Sequence, residues 1–355
     1  MTVSNTEKEY TLTLQHPIPN TFGIEAMAAV YAEYHTVQGL RDLVRIRLRE
    51  YAHLPILHTG EGSNLLFLSN YPGMILRSGL HDIEVTATDA DEVFVRVGGG
   101  LNFDTFISYA LSQGWYGLEN LSSIPGQVGA SAVQNIGAYG VEVKDFIHQV
   151  EGISLSDGKA CQWSVAECNY AYRQSIFKQQ LKGMYAITYV TFRLRRRFTP
   201  QLTYGGIAQA LAQAGLSSAQ LTAGQLREVI KEVRSQKLPD PEKQGSAGSF
   251  FMNPIVPRSK FQHLLALYPA MPHYEVDDDS VKIPAGWLIE QCGWKGRALV
   301  RAAVHRNQAL VLVNLGGAEG RDILQLSKAV SDDVQKQFGI TLQPEVNFIG
   351  QVSAE

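Results

Sequence analysis

Ser123-Ile124-Pro125-Gly126-Gln127-Val128-Gly129-Ala130-Ser131-Ala132-Val133-Gln134-Asn135-Ile136-Gly137-Ala138-Tyr139-Gly140 is the stretch on which the reading of this chain turns. It holds four glycines, one proline, the small pair Ala130 and Ser131, and the amides Gln134-Asn135. So little side-chain mass cannot build a core, while the backbone offers many N–H donors. The segment therefore reads as a surface laid flat against a ligand. A purely structural Ω-type loop would not require an amide pair and an aromatic at this place.

Working outward, the apolar run Pro55 to His58 enters a second glycine turn, Gly60-Glu61-Gly62-Ser63-Asn64-Leu65. A strand running into such a turn is the usual setting for a phosphate. The dinucleotide fingerprint of a Rossmann unit is absent, however. Leu65 stands where its third glycine belongs, and β-prone residues follow instead of a helix. Alone, this would be a tight turn; beside the first stretch it reads as half of a paired backbone cradle. A third stretch, Gly248-Ser249-Phe250-Phe251, puts one hydroxyl in a small-residue turn ahead of two rings able to exclude water.

The elements around these motifs are mixed α and β. Thr36 to Tyr51 has the period of an amphipathic helix. Leu65 to Leu68, Met74 to Leu76, Ile83 to Ala87 and Glu92 to Val97 read as strands. Asn102 caps a helix presenting Phe103, Phe106, Ile107, Ala110 and Leu111 and stopped by Gly114. Gln149 to Leu155 and Lys159 to Val165 form a hairpin across Ser156-Asp157-Gly158, and Met184 to Leu194 is a further strand. The style changes near residues 198–204. Thr222 and Gln225 make a capping box for a helix ended by Pro239 and Pro241, and Ser259 and Gln262 repeat the box. Ala309 to Asn314 is a buried strand, and Asp322 to Phe338 a helix closed by Gly339.

Length, 355 residues, suits two or three domains. With 45 % hydrophobic and 18 % charged residues the composition is that of a well-packed globular protein. No apolar run is long enough to span a bilayer, and Met1 to Tyr10 lacks the order of a signal peptide, so a cytoplasmic location is expected. A net charge of −3 suggests neither nucleic acid nor an anionic membrane as partner. Arg193-Leu194-Arg195-Arg196-Arg197 reads as a solvated strand end. Cys161, Cys168 and Cys292 lack metal-ligand spacing and read as inert thiols. His305-Arg306 has no companion ligand set, with His35, His53, His58 and His81 scattered in the other domain, so His305 reads as structural and no metal is expected.

Taken in order, the three stretches are joined by Tyr172-Arg173-Gln174-Ser175-Ile176-Phe177, by Asn253-Pro254 and by Pro344-Glu345-Val346. With these the chain resembles the UDP-N-acetylenolpyruvoylglucosamine reductase family along essentially its whole length, from Asn20-Thr21-Phe22-Gly23 to Phe348-Ile349-Gly350. The resemblance implies a two-subdomain FAD-binding fold of the vanillyl-alcohol-oxidase type over residues 1–198 (about 1–77 and 78–198). A smaller α+β substrate-binding domain over residues 199–355 would follow, whose last residues could pack back on the first. It implies NADPH-dependent reduction of UDP-N-acetylglucosamine enolpyruvate to UDP-N-acetylmuramate in peptidoglycan precursor synthesis, by a monomer.

The cofactor residues implied are Gly60, Gly62, Ser63, Asn64, Leu65, Ser123, Ile124, Pro125, Gly126, Gly129, Asn135, Gly137, Ala138, Tyr139 and Gly140. Neither motif contains His or Cys, so FAD is expected to be held non-covalently. The catalytic residues implied are Arg173, whose fork matches a carboxylate, Ser249 as proton donor, and Glu345 beside Arg173. Asn347 departs from the family, where a basic residue is frequent. Tyr172, Tyr204, Lys237, Asn253 and Gln308 are implied for the nucleotide sugar, with Arg234 able to share the diphosphate with Lys237. Leu202-Thr203-Tyr204-Gly205-Gly206 marks the subtype with a substrate-closing tyrosine loop. Two alternatives stay open: an FAD oxidase of the same fold, and a non-redox nucleotide-sugar binding protein.

Overall fold

Val30, Ala32 and Tyr34 project from the strand Met27–Tyr34 into a core shared with Met74, Leu76, Leu40, Leu43 and Val44. The computed structural model describes residues 9–240 and 243–351. Met1 to Lys8 lie outside the described residues, as does Pro241, read above as part of a helix stop. The first sheet runs in the order Tyr10–Pro17, Met27–Tyr34, Tyr71–Ser78, Ile56–Thr59. Its first pair is antiparallel and its last pair parallel. The opening two strands give little signal in sequence, because one is half exposed and the other carries three alanines among its eight residues. The expected amphipathic helix, α1 (Val37–Glu50), packs on this core, with the Thr36 hydroxyl accepting from the Gly39 N–H at 2.9 Å.

The second sheet is antiparallel, in the order Ala160–Ser164, Ile147–Ser154, Tyr185–Arg195, Glu92–Gly98, Ile83–Thr88. The expected hairpin turns at Gly158, whose φ is +74°. α2 (Phe103–Ser112) lays Phe103, Phe106, Ile107 and Ala110 against this sheet, and Phe106 meets Phe192 at 5.0 Å between ring centres. The long glycine stretch is not an open loop throughout. Its middle winds into α3 (Val128–Gln134), ended by Asn135 in the left-handed conformation. The small side chains that deny it a core of its own let it press on its neighbours: a Cβ at Gly129 would stand 3.2 Å from the Gly99 carbonyl oxygen.

α4 (Gly205–Gln213) has no counterpart among the expected elements. It packs Ile207 and Leu211 against Leu226, Val229 and Ile230 of α5 (Ala223–Lys237). The capping box of α5 forms as expected, with Thr222 N–H donating to Gln225 Oε1 at 2.9 Å and Gln225 N–H to Thr222 Oγ1 at 3.2 Å. The second box does not form. α6 (Arg258–Leu267) starts two residues earlier, behind Pro257, so Ser259 lies inside the helix. The strand pairing of Ile255–Pro257 with Ser280–Lys282 carries the chain in extended form up to that proline, which sets the start.

α7 (Ala285–Gln291) and α8 (Gly320–Phe338) complete the helices named here, and Gly339 closes α8 at φ +62°. The strand Val311–Asn314, wholly buried as expected, lies between Ser246–Ser249 and Ala302–Val304. Leu65–Phe67 pairs in parallel with Asn347–Ile349.

Two units divide the described chain. One takes the residues through Pro17, Met27–Glu61 and Pro72–Arg234; the other takes Ile18–Ala26, Gly62–Tyr71 and the residues from Ser235 onward. Residues 199–234, expected with the second domain, are counted with the first unit, and the first glycine motif is divided between the two. Among the described residues no helix is long and apolar enough to cross a membrane.

Candidate active site

In the first unit the two glycine motifs meet directly. A Cβ on Gly60 would stand 3.0 Å from Gln127 Oε1, so a larger residue there would press on that side chain. Gln127 is itself buried, donating from Nε2 to the Gly100 carbonyl at 2.8 Å. Seven described non-glycine residues hold positive φ, and four of them, Ser123, Asn135, Tyr139 and Arg173, belong to the motif segments. Conformations of this kind cost free energy and gather where a chain is shaped for a ligand. The segments thus fit a flat, polar dinucleotide lying on backbone.

Not every donor of the second motif faces outward. Ser123 N–H donates to Asp104 Oδ1 at 2.6 Å and Gly126 N–H to Glu61 Oε2 at 3.0 Å. Val128 and Gly129 donate to the Leu101 and Gly99 carbonyls. The stretch is therefore less rich in available N–H groups than its composition implies. Asp104 is held in turn by the Arg227 fork at 2.6 and 2.9 Å. Burial pushes the Asp104 carboxyl up, but the Arg227 bonds, the Ser123 N–H and the nearby Lys231 outweigh it and hold it below the usual range.

Arg173 sits at φ +55° and reaches the second motif: Nη2 donates to the Gly137 carbonyl at 2.7 Å and Nη1 to the Asn135 carbonyl at 3.3 Å. Its guanidinium carbon lies 5.5 Å from the centre of the Tyr172 ring. Tyr139 also turns through positive φ, and its carbonyl accepts from Asn120 Nδ2 at 3.0 Å. Its ring meets the edge of Tyr204 at 5.6 Å. Burial raises the Tyr139 hydroxyl pKa against the opposing pull of Arg234, to which it is hydrogen-bonded. Arg234, considered above for the diphosphate, is thus engaged with the second motif. Tyr204 stands just ahead of α4, 38 % exposed.

In the second unit Ser249 ends its strand beside Gly248, which has φ +67° and where an added Cβ would meet nothing within 4 Å. Ser249 is exposed, whereas Phe250 and Phe251 are buried. The Glu345 N–H donates to the Phe250 carbonyl at 2.8 Å, and Pro344 bridges to Phe251. This pairing places the backbone of Glu345 one residue from Ser249, although 96 positions separate them in sequence (345 less 249). Asn64 Nδ2 donates to the Glu345 carbonyl at 3.2 Å, and its own carbonyl accepts the Asn347 N–H at 3.0 Å. The side chain of Asn347 also reaches that carbonyl, at 3.5 Å, so the family departure makes a local bond. Gly62, at φ +69°, lies against Pro19 and Asn20, where a Cβ would come 2.6 Å from the Pro19 carbonyl oxygen.

Asn253 and Gln308 each lie against the first turn of α7. Asn253 Oδ1 accepts the Ala285 N–H at 2.9 Å, and a Cβ on Gly286 would stand 3.2 Å from Gln308 Oε1. Lys237 is exposed at the end of α5. The turn carrying Gln308 fastens that end: Asn307 Nδ2 donates to the Gln236 carbonyl at 3.0 Å, and the His305 ring bonds the Lys237 backbone. Burial and the neighbouring Arg306 lower the His305 pKa, which keeps the ring neutral in this structural place. Among the described residues no group of three or more His, Cys, Asp or Glu is placed to hold a metal ion.

Glu61, Asp104, Gln127 and Arg227 are parts of the site that sequence reasoning does not single out. Glu61 lies inside a quoted motif, but a glutamate gives no local sign of bonding a backbone N–H 65 positions away. The cap at Asn102 is the one available signal for α2's first turn.

Comparison with known proteins identifies the family of the chain. Residues 28–164 match the FAD binding domain family, and residues 240–349 match the C-terminal domain of UDP-N-acetylenolpyruvoylglucosamine reductase. The chain is 52 % identical over 343 residues to the UDP-N-acetylenolpyruvoylglucosamine reductase of Bacteroides fragilis, covering 97 % of this chain and all of that one. It is 44 % identical over 330 residues to the Porphyromonas gingivalis reductase, covering 93 % and 96 %. The solved reductase from Thermus caldophilus shares the fold, with a TM-score of 0.65 at 22 % identity over 93 % of this chain and 96 % of that one. With such similarity from end to end, and with both halves matched by their own family models, the chain belongs to the UDP-N-acetylenolpyruvoylglucosamine reductase family.

Proposed function

We propose that this protein reduces the enolpyruvyl ether of UDP-N-acetylglucosamine enolpyruvate to the lactyl ether of UDP-N-acetylmuramate, in peptidoglycan precursor synthesis. The observation that carries the reading is the 52 % identity to a reductase over that relative's full length. FAD, when bound and reduced by NADPH, supplies the hydride that the terminal carbon of the enolpyruvyl group receives. The backbone of Gly60 to Leu65 and of Ser123 to Gly140 holds that cofactor, without a covalent bond.

The chain's own residues then manage charge and the proton. Hydride arrival leaves negative charge spread from the carbon bearing oxygen into the carboxylate. Arg173, tethered to the Asn135 and Gly137 carbonyls, keeps a permanent cation at the second motif to meet that charge. Ser249 donates its hydroxyl proton to the carbon. A serine is a weak acid in water, but a nascent carbanion is a strong base, which narrows the mismatch. Glu345, anchored by its N–H on the Phe250 carbonyl and by the Asn64 side-chain amide on its own carbonyl, polarises the intermediate. The buried Phe250 and Phe251 anchor the backbone that follows the exposed Ser249.

Lys237 neutralises the diphosphate, Tyr172, Asn253 and Gln308 bond the sugar and carboxylate groups, and Tyr204 closes over the bound nucleotide. Residues 1–198 carry the cofactor cradle together with Tyr172 and Arg173 for the substrate, and residues 199–355 carry the remaining substrate residues. The protein works in the cytoplasm as a monomer on these small molecules.

The test is anaerobic. The flavin is bleached with NADPH, UDP-N-acetylglucosamine enolpyruvate is added, and the visible band is followed. Return of the oxidised band supports both half-reactions. A flavin that reoxidises only in air indicates an oxidase, and a colourless preparation that takes up no FAD sinks the flavoenzyme reading.

A further inference from the structure

The first turn of α2 lies against both glycine motifs, and four polar side chains meet there. Asn102 accepts the Thr105 N–H on Oδ1 at 3.0 Å and donates from Nδ2 to Glu61 Oε1 at 2.9 Å. Glu61 gives its other oxygen to the Gly126 N–H at 3.0 Å. Gly126 turns through φ +116°, and its carbonyl accepts the Phe103 N–H at 2.9 Å. Two residues on, Asp104 accepts the Ser123 N–H at 2.6 Å and is gripped by the buried Arg227. Ser123 too holds positive φ, at +59°.

We propose that Glu61 and Asp104 are positioning residues, which tie the Gly60-Glu61 turn and the second glycine motif to one helix end so that these FAD-facing segments keep a single spacing before the cofactor arrives. The inference rests on the reading of these motifs as the FAD cradle. Its chemistry is specific to a carboxylate at position 61. Asn102 and Gly126 both present donors to it, and only a carboxylate offers two acceptor oxygens with no donor. The amide of Asn102 cannot simply turn over, because its oxygen already caps α2 at Thr105. A spacing held in advance removes an ordering cost from cofactor binding. Positive φ at Ser123 is strain that such bonds offset.

The polarity of the Glu61–Asn102 contact gives a test that a general loss of packing would not pass. In Glu61→Gln the new amide must point its N–H groups at one of two donors. In Asn102→Asp two carboxylates face one another, though the helix cap is retained. In the double variant the polarity is reversed: the introduced aspartate accepts from both Thr105 N–H and the introduced glutamine, whose oxygen still accepts from Gly126. The readout is the rate at which the purified full-length protein releases FAD on dilution, followed by recovery of free-flavin fluorescence. Thermal unfolding of each variant serves as control.

Each single variant is expected to release FAD about tenfold to a hundredfold faster, the range for a lost hydrogen bond to a charged group. The double variant is expected to return to within about threefold of the parent, as a restored pair should. Single variants that hold FAD like the parent, or a double variant no better than the singles, overturn the inference while leaving the cofactor assignment standing. A parent protein that takes up no FAD overturns the cofactor reading itself and the inference with it.

Discussion

Arg173 Nη2 donates to the carbonyl of Gly137 at 2.7 Å, and a Cβ on Gly137 would stand 3.0 Å from Arg173 Nη1. The cation proposed to meet the substrate carboxylate is thus positioned by a residue without a side chain. The same Cβ would lie 2.9 Å from the Val141 carbonyl oxygen, so backbone as well as guanidinium must give way.

Gly137→Ala should therefore displace Arg173 more than it unfolds the protein. We expect reoxidation of the reduced flavin by substrate to slow by about tenfold to a hundredfold, as small misplacements of charged groups do. Reduction by NADPH should be little changed. Stopped-flow traces of the two half-reactions decide it, and equal slowing of both would remove the special link to Arg173.

Ser249→Ala should separate the half-reactions more sharply. Ser249 is exposed at a strand end, so the change costs little stability. Loss of a general acid is worth about a hundredfold or more in rate. NADPH should still bleach the flavin while substrate fails to restore it. Full turnover in this variant would take Ser249 out of the mechanism.

Arg227→Met tests the pair at α2. Arg227 is 9 % exposed, and its loss leaves Asp104 without its fork. Breaking such a pair is expected to cost about 2 to 3 kcal/mol in urea unfolding. Asp104→Asn should cost less, since its amide oxygen can still accept the Ser123 N–H. The opposite ranking would mean that the arginine serves only as packing.

His58 predicts a pH effect on stability. Its Nε2 lies 2.8 Å from the Tyr34 hydroxyl, and burial lowers its pKa to about 4. In the unfolded chain the imidazole takes its proton near the ordinary value of about 6.5. Between these values the unfolded state binds more protons, so stability rises with pH from about 4 to about 6.5 and is flat above. Urea midpoints across that range should show the slope in the parent and a shallower one in His58→Gln. Parallel slopes would assign the effect to other groups.

Much of the architecture is legible in the sequence because its causes are local. The periodicity of Leu40, Leu43 and Val44, the cap at Asn102 and the box at Thr222 and Gln225 each depend on residues within a turn or two. Ser259 and Gln262 mislead for the same reason: their spacing suits a cap, but the strand ending at Pro257 decides where α6 begins. The helix Val128–Gln134 is hidden by glycines that disfavour helix in isolation and are tolerated because Gly129 must approach Gly99.

The sequence by itself determined the family, the positions of the glycines that let backbone approach backbone, and the residue types able to carry a cation, a proton and a diphosphate contact. Only the tertiary structure decided that Asp104 and Glu61 take the N–H groups of Ser123 and Gly126, and that the backbone of Glu345 is seated beside Ser249. It alone showed that Asn253 and Gln308 each lie against the first turn of α7. The physical reason is one of range. Glycine, caps and helical period act through neighbours along the chain, whereas a half-buried carboxylate finds its donor only after the fold has brought distant segments within hydrogen-bond reach.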